Sequence, residues 1–389
     1  MYTSNIHPLP REKFEILAKK HGKRCVTIYL PMHKKGKEQN EHLAQANLKK
    51  CLTNVRKLLT TYQICDEEIV NYLKPIEKLI ANIELWRNPS KGLAIFLDQK
   101  GLSYYTLPIS FKTKIYVASN FYVTPLIPLY YNTTIYYLLE LSQDYVKFYE
   151  ASKYGLTDLN IKSFAPNKLE KAVGFDFRQK MLQFRTGHNI FSSGAFHGHG
   201  EGKDDEKKEL FTFFRAIDKG IKQALKNKSA PLVVACVNRL FDTYKQVNTY
   251  TNLYIKNISG DPEFKNKSIL HKESWELIQN YFEKTKKAKL NQFTEMYNTP
   301  KVSYQINEII PAAVDGKIDT LFVSKNTDLF GVYNTENRHL ILNDKKEIQN
   351  GSLINLASVN TVFKGGEVYL LDAEDMPEHG KILNALFKY

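Results

Sequence analysis

The apolar positions Leu210, Phe213, Phe214, Ile217, Ile221, Ala224 and Leu225 repeat with helical period, and the apolar run Leu232-Val233-Val234-Ala235-Cys236-Val237 follows almost at once. A helix with one wide apolar stripe must lay it on something flat, and a wholly apolar short run reads as a buried strand. Together they commit this part of the chain to helix packed on sheet. Directly before the helix, which is expected from about Lys207 to Leu225, stands Phe196-His197-Gly198-His199-Gly200-Glu201-Gly202-Lys203-Asp204-Asp205-Glu206. Glycine at every second position from Gly198 to Gly202 lets the backbone take positive φ and approach a bulky ligand. This segment is expected to be a mobile tip on a rigid base, and function is expected there.

The rest of the chain repeats the alternation of strand and helix. A helix from about Arg11 to His21 precedes a β-branched strand, Val26 to Leu30, stopped by Pro31 and followed by the basic loop Met32-His33-Lys34-Lys35-Gly36-Lys37. Two helices follow, one marked by Leu48, Val55 and Leu59 and one starting near Asp66, then two strands, Leu93 to Leu97 and Ser103 to Leu107. A hairpin at Ile135 to Leu141 and Val146 to Tyr149 opens a second region, which a lysine-rich helix from about Ser268 to Tyr297 closes. Beyond Pro300 a helix is expected near Val302 to Ala313, strands at Thr320 to Val323, Gly331 to Tyr333 and Glu367 to Leu371, and a helix from about Ser352 to Phe363. The fold class expected is α/β, with the last region an α/β/α sandwich in outline.

A length of 389 residues, 43% hydrophobic and 25% charged, suits two or three domains with separate cores. Met1 to Arg11 lacks the apolar run of a secretory signal, and no stretch approaches the roughly 18 apolar residues of a membrane helix, so a cytoplasmic location is expected and no membrane partner. Cys25, Cys51, Cys65 and Cys236 lie far apart with no CxxC pair, so they are expected reduced and mostly buried rather than bridged or ligating zinc. The net charge of +14 is unevenly spread: Lys and Arg outnumber Asp and Glu by 20 to 10 in residues 1–132 and by 26 to 19 in 133–300, but fall behind by 9 to 12 in 301–389. Attraction to a polyanion therefore belongs to the first two thirds.

Individual side chains narrow the chemistry. His197 and His199 sit at alternate positions with His188 and Asp204 as further donors, but an HxH pair without an assured third ligand is weak, and no metal or other cofactor is expected. RNA contact is the stronger reading for His197, Gly198, His199 and Gly200, with Lys203 as a point charge on phosphate. His33, Lys34, Lys35 and Lys37 are read as a second RNA clamp. Asp204, Asp205 and Glu206 are read as helix-start carboxylates rather than general bases. Ser192, Ser193 and His197 lack a GxSxG elbow, and Gly365-Gly366 lacks a phosphate-loop context.

Tyr29-Leu30-Pro31 with its basic loop, the glycine and histidine loop with Lys203-Asp204-Asp205-Glu206, Pro231 to Val237, Val314-Asp315-Gly316 leading to Asp319-Thr320-Leu321, and Gly365-Gly366 to the final Leu386-Phe387-Lys388-Tyr389 form an ordered set. Over nearly the whole chain they resemble the bacterial relatives of archaeo-eukaryotic class-one release factors. The resemblance implies three domains: an N-terminal α/β domain, 1–132, aimed at the decoding centre; a ribonuclease-H-like middle domain, 133–299, carrying the glycine and histidine loop; and a C-terminal domain, 300–389, of the kink-turn-binding ribosomal-protein type. It also implies the ribosome as partner, through ribosomal RNA at the A site and with tRNA nearby, a translational GTPase contacting the C-terminal domain, and a monomer.

The chain departs from the family at one position. Release factors carry Gly-Gly-Gln in the middle-domain loop, whereas this sequence reads Gly200-Glu201-Gly202-Lys203 there. The expected function is therefore occupancy of the A site in stalled or idle ribosomes, as in hibernation or rescue, without catalysis. The alternative is peptidyl-tRNA hydrolysis with His197, His199 or Lys203 positioning water or acting as base. A metal-dependent nuclease would need clustered acidic residues on strands, which the sequence does not display.

Overall fold

The computed structural model describes residues 9–32, 37–87, 90–130, 134–142, 145–160, 201–226, 228–343 and 347–389. The chain divides into two compact units, one formed by residues 1–133 together with 285–389, the other by 134–284. Both are mixed α/β.

The first segment lays strands β1 (His21–Pro31), β2 (Gly92–Asp98), β3 (Gly101–Leu107) and β4 (Lys114–Asn120) in the order β3-β2-β1-β4, all antiparallel. Alternate residues of β1 face opposite ways, and both faces are buried. Val26, Ile28 and Leu30 pack under helices α2 (Lys37–Thr61) and α3 (Asp66–Ile80), against Leu48, Val55, Leu59, Ile69 and Leu73. Cys25 and Tyr29 face the other way, into a core shared with Phe96, Phe121, Leu353 and Ile354. Helix α1 (Arg11–Ala18) joins this second core through Phe14 and Leu17, α4 (Ile83–Arg87) adds Leu85 and Trp86 to the first, and the single turn α5 (Ile127–Tyr130) ends the segment.

In the second unit β5 (Tyr136–Leu141), β6 (Val146–Ser152), β7 (Gly155–Leu159) and β8 (Leu232–Ala235) take the order β7-β6-β5-β8, with β5 and β8 parallel and the other pairs antiparallel. Tyr137, Leu139 and Phe148 meet α6 (Glu201–Ala224) and α7 (Asn238–Val247) on one face. Tyr136, Leu138, Tyr149 and Val233 meet Leu270, Ile278 and Phe282 of α8 (Lys267–Glu295) on the other. Cover on both faces is the reason the run from Leu232 is apolar throughout.

The last segment returns to the first unit. Strands β9 (Val302–Ser303), β10 (Ile318–Ser324), β14 (Glu367–Leu371) and β15 (Leu383–Phe387) form a mixed sheet in the order β14-β10-β15-β9. Val302, expected to start a helix, instead pairs with Leu386, and α9 (Ile306–Asp315) begins only at Ile306. Gly316, at φ +78°, ends that helix in the left-handed conformation glycine tolerates. Helices α9 and α10 (Leu353–Phe363) cover one face through Ile309, Ile310, Ile354 and Ala357, while Phe293 packs with Phe322 and Leu386 on the other. A small sheet of β11 (Phe330–Asn334), β12 (His339–Leu342) and β13 (Gly351–Ser352) completes the segment.

Hydrogen bonds as well as packing join the chain's first and last segments. Asn355 Oδ1 accepts from Val123 N at 2.7 Å and from Thr124 N and Oγ1, both at 3.1 Å, while its Nδ2 donates to Phe121 O. Ser352 N donates to Tyr116 Oη and Ser119 N to Ile348 O. The regions read in the sequence as a first and a last α/β domain thus share one core.

Candidate nucleic-acid interface

Of the residues singled out in the sequence, His33, Lys34, Lys35, His197, Gly198, His199 and Gly200 lie outside the described residues. Lys37 opens α2, and Lys203 is the third residue of α6. That helix starts at Glu201 rather than near Lys207, so Lys203 to Glu206 are helical, not loop. The residues before Leu210 are polar, with Gly202 and two aspartates of low helix propensity among them, and polar turns leave no apolar period to read.

Helix α6 has two chemically opposite sides. Phe213, Phe214, Ile217 and Ile221 are fully buried against the sheet. Arg215, Lys219, Lys222 and Lys226 are exposed. Arg215, Lys219 and Lys222 follow one another at the 4- and 3-residue helical repeat, so they form one row about 10 Å long at 1.5 Å per residue, and Lys226 follows in the turn just past the helix end. None of the four makes an ion pair with another described residue. The carboxylate nearest in sequence, Asp218, is turned inward and buried, where it accepts from Thr249 N at 3.0 Å and Thr249 Oγ1 at 2.7 Å. Its charge is committed to fastening α6 to the segment after α7 and leaves the ridge unneutralised.

Such a row repels itself in the free protein and gains most from a polyanion, because each phosphate it meets releases condensed counterions. Arginine adds a planar fork that grips phosphate with two donors, and the lysines add point charges. The sequence signal for this ridge is the 4-3-4 cation spacing opposite the apolar stripe. A reading that follows only apolar positions passes over it.

The unit's buried polar groups serve structure. Glu140 on β5 lies opposite Lys147 on β6; Tyr149 Oη donates to its Oε1 at 2.7 Å, and Lys147 Nζ stands 3.4 Å from its Oε2. Burial first, then Glu140, raises the Tyr149 phenol, and burial pushes Tyr136 up to about 12 against the opposing bond to Ser274. Burial likewise pushes the Cys236 thiol up to about 12, so at neutral pH it is a protonated core residue and no nucleophile. Cys25 and Cys51 are buried too, while Cys65 is exposed, and all four thiols are free. Among the described residues no group of three or more His, Cys, Asp or Glu could hold a metal ion, and no helix is long and apolar enough to cross a membrane.

The unit that carries the ridge also carries a sequence signature. Residues 136–280 match the profile of bacterial archaeo-eukaryotic release factor family 7. The match covers this unit alone, and the unit is similar to that family. Similar solved structures include an archaeal translation termination factor, aRF1, at 10% identity over 97% of this chain and 96% of that one, with a TM-score of 0.24. Archaeal Pelota, from a model of the ribosome-bound protein with ABCE1, is 14% identical over 74% of this chain and 72% of that one, TM-score 0.34. Dom34 of S. cerevisiae, a termination-like factor that interacts with Hbs1, is 12% identical over 80% of this chain and 77% of that one, TM-score 0.34. No curated protein matches the chain. The mixed α/β assignment of this chain stands on its own strand order.

Proposed function

We propose that this release-factor-like chain is a cytoplasmic, monomeric ribosome-binding factor that occupies the A site of stalled or idle ribosomes, in hibernation or rescue, and holds ribosomal RNA through the α6 ridge. The observation that carries the proposal is the row Arg215, Lys219, Lys222 and Lys226, unpaired among the described residues and standing on the unit that matches the family. In this reading residues 133–299 are the ribonuclease-H-like domain, residues 1–132 face the decoding centre with His33, Lys34, Lys35 and Lys37 on RNA, and residues 300–389 are the kink-turn-binding type of domain that meets a translational GTPase. In the same reading His197, Gly198, His199, Gly200 and Lys203 contact RNA or tRNA. Binding is favoured over hydrolysis because the sequence lacks Gly-Gly-Gln and because Glu201 to Lys203 are committed to helix.

Co-sedimentation with purified ribosomes, with release of peptidyl-tRNA scored in the same tubes, tests this reading. Saturable binding without release is the expected result. Release that disappears in His199→Ala while binding persists would make the chain a hydrolase instead.

A further inference from the structure

Phe264 is 87% exposed, yet the loop that presents it is tightly built. The chain leaving β8 folds back beside it: Ile258 N donates to Val234 O and Cys236 N to Ile258 O. Asn257 Nδ2 then donates to Cys236 O at 2.9 Å, and Ser259 Oγ to Asn238 Oδ1 at 3.0 Å. Gly260 turns the backbone at φ +99°, a conformation that favours glycine. Asp261 Oδ1 accepts from Glu263 N at 3.0 Å, Pro262 is buried, and Lys265 Nζ bridges Ser259 O and Glu273. A phenyl ring held in water on a pre-ordered turn loses little further entropy on docking, which is the physical profile of an interface anchor.

The charge beside the ring selects the partner. Glu263 is exposed, Asp261 is half-buried, and neither forms an ion pair with a described residue, whereas the nearest cation, Lys265, is neutralised by Glu273. The charges of both acids also act on Tyr145, whose phenol burial, Glu140, Asp261 and Glu263 together raise. Phosphates would be repelled at this loop. The ridge that attracts them stands on α6, which packs on one face of the sheet, while the loop leads into α8 on the opposite face. We infer that Phe264 is the anchor for a basic protein surface of the ribosome, its ring entering an apolar pocket rimmed by cations that pair with Glu263 and Asp261. The inference rests on the ribosomal reading above and adds a protein contact to its RNA contact.

The full-length chain carrying the photoreactive p-benzoylphenylalanine at position 264, irradiated on purified ribosomes, tests it. An adduct that survives ribonuclease and maps to a ribosomal protein is expected, and an adduct on RNA, or none, overturns the inference. In parallel, Phe264→Ala should weaken ribosome binding roughly tenfold or more without changing its salt dependence, because an apolar anchor releases no counterions. Glu263→Lys should weaken binding as well, and tighter binding by that variant would mark the partner as RNA. If the wild-type chain binds ribosomes and Phe264→Ala binds as well as it does, the anchor fails alone. If the wild-type chain does not bind, the ribosomal reading fails with it.

Discussion

The buried amide of Asn355 uses both its ends: Oδ1 takes three donors from Val123 and Thr124, and Nδ2 reaches Phe121 O. Cutting it back orphans those donors in a dry interior, so Asn355→Ala is expected to cost about 2–4 kcal/mol of stability. Urea unfolding checks this against Asn360→Ala, a half-buried amide whose Nδ2 donates to Leu356 O, where the loss should stay below about 1 kcal/mol. A titrating group supplies a second residue-scale expectation. Burial raises the Asp319 carboxyl, but hydrogen bonds from Lys289 and Thr320 together with the charges of Lys289 and Lys388 outweigh it and hold the group below its ordinary 3.8. A carboxyl depressed in the folded state stabilises the protein above its unfolded value and loses that contribution as pH falls through the folded one. Urea midpoints measured between about pH 5 and pH 2 should therefore fall less steeply in Asp319→Asn than in the wild type, and equal slopes would show that the pair with Lys289 contributes nothing. Asn355 did not stand out in the sequence and Asp319 did so only within a motif, its ion pair unread, because the partners of Asn355 lie more than 230 positions away and those of Asp319 include Lys289, thirty residues back.

At the scale of elements, α6 has its buried apolar residues on one side and exposed cations on the other. Phe214 is fully buried and meets Tyr244 edge-on at 5.9 Å, whereas Lys222 is exposed. Phe214→Ala should destabilise the protein by about 3–5 kcal/mol, and Lys222→Ala should stay within about 0.5 kcal/mol. Chemical unfolding of the two variants decides whether the helix is held by its apolar side. The apolar side was plain from period alone. The helix start was not, because polar turns carry no such signal, and neither was β9, which is a strand only because Leu386 and Ala385 from the far end of the chain pair with it. The strand Glu367–Leu371 was readable to the residue because an apolar run with Val368 and Tyr369 follows a glycine turn and needs no distant information to be recognised.

At the scale of the whole molecule, the α/β character and the strand and helix alternation were legible because they depend on local periods. The joining of the first and last segments in one core was not, since Tyr29, Phe96 and Phe121 look like the core of any small domain until Leu353 and Ile354 arrive to cover them. Charge was legible in total and by region, but its concentration into one ridge required the helix that lines it up. That ridge is where the account is most exposed to test. The decisive measurement is ribosome binding across a salt series for the wild type and for a variant in which Arg215, Lys219, Lys222 and Lys226 are all changed to alanine. Each lost phosphate contact should take roughly 0.7–0.9 from the slope of log affinity against log salt, so the variant should bind more weakly at low salt with a slope shallower by about 3. An unchanged affinity and slope in a correctly folded variant would contradict the account and remove the ridge from the interface.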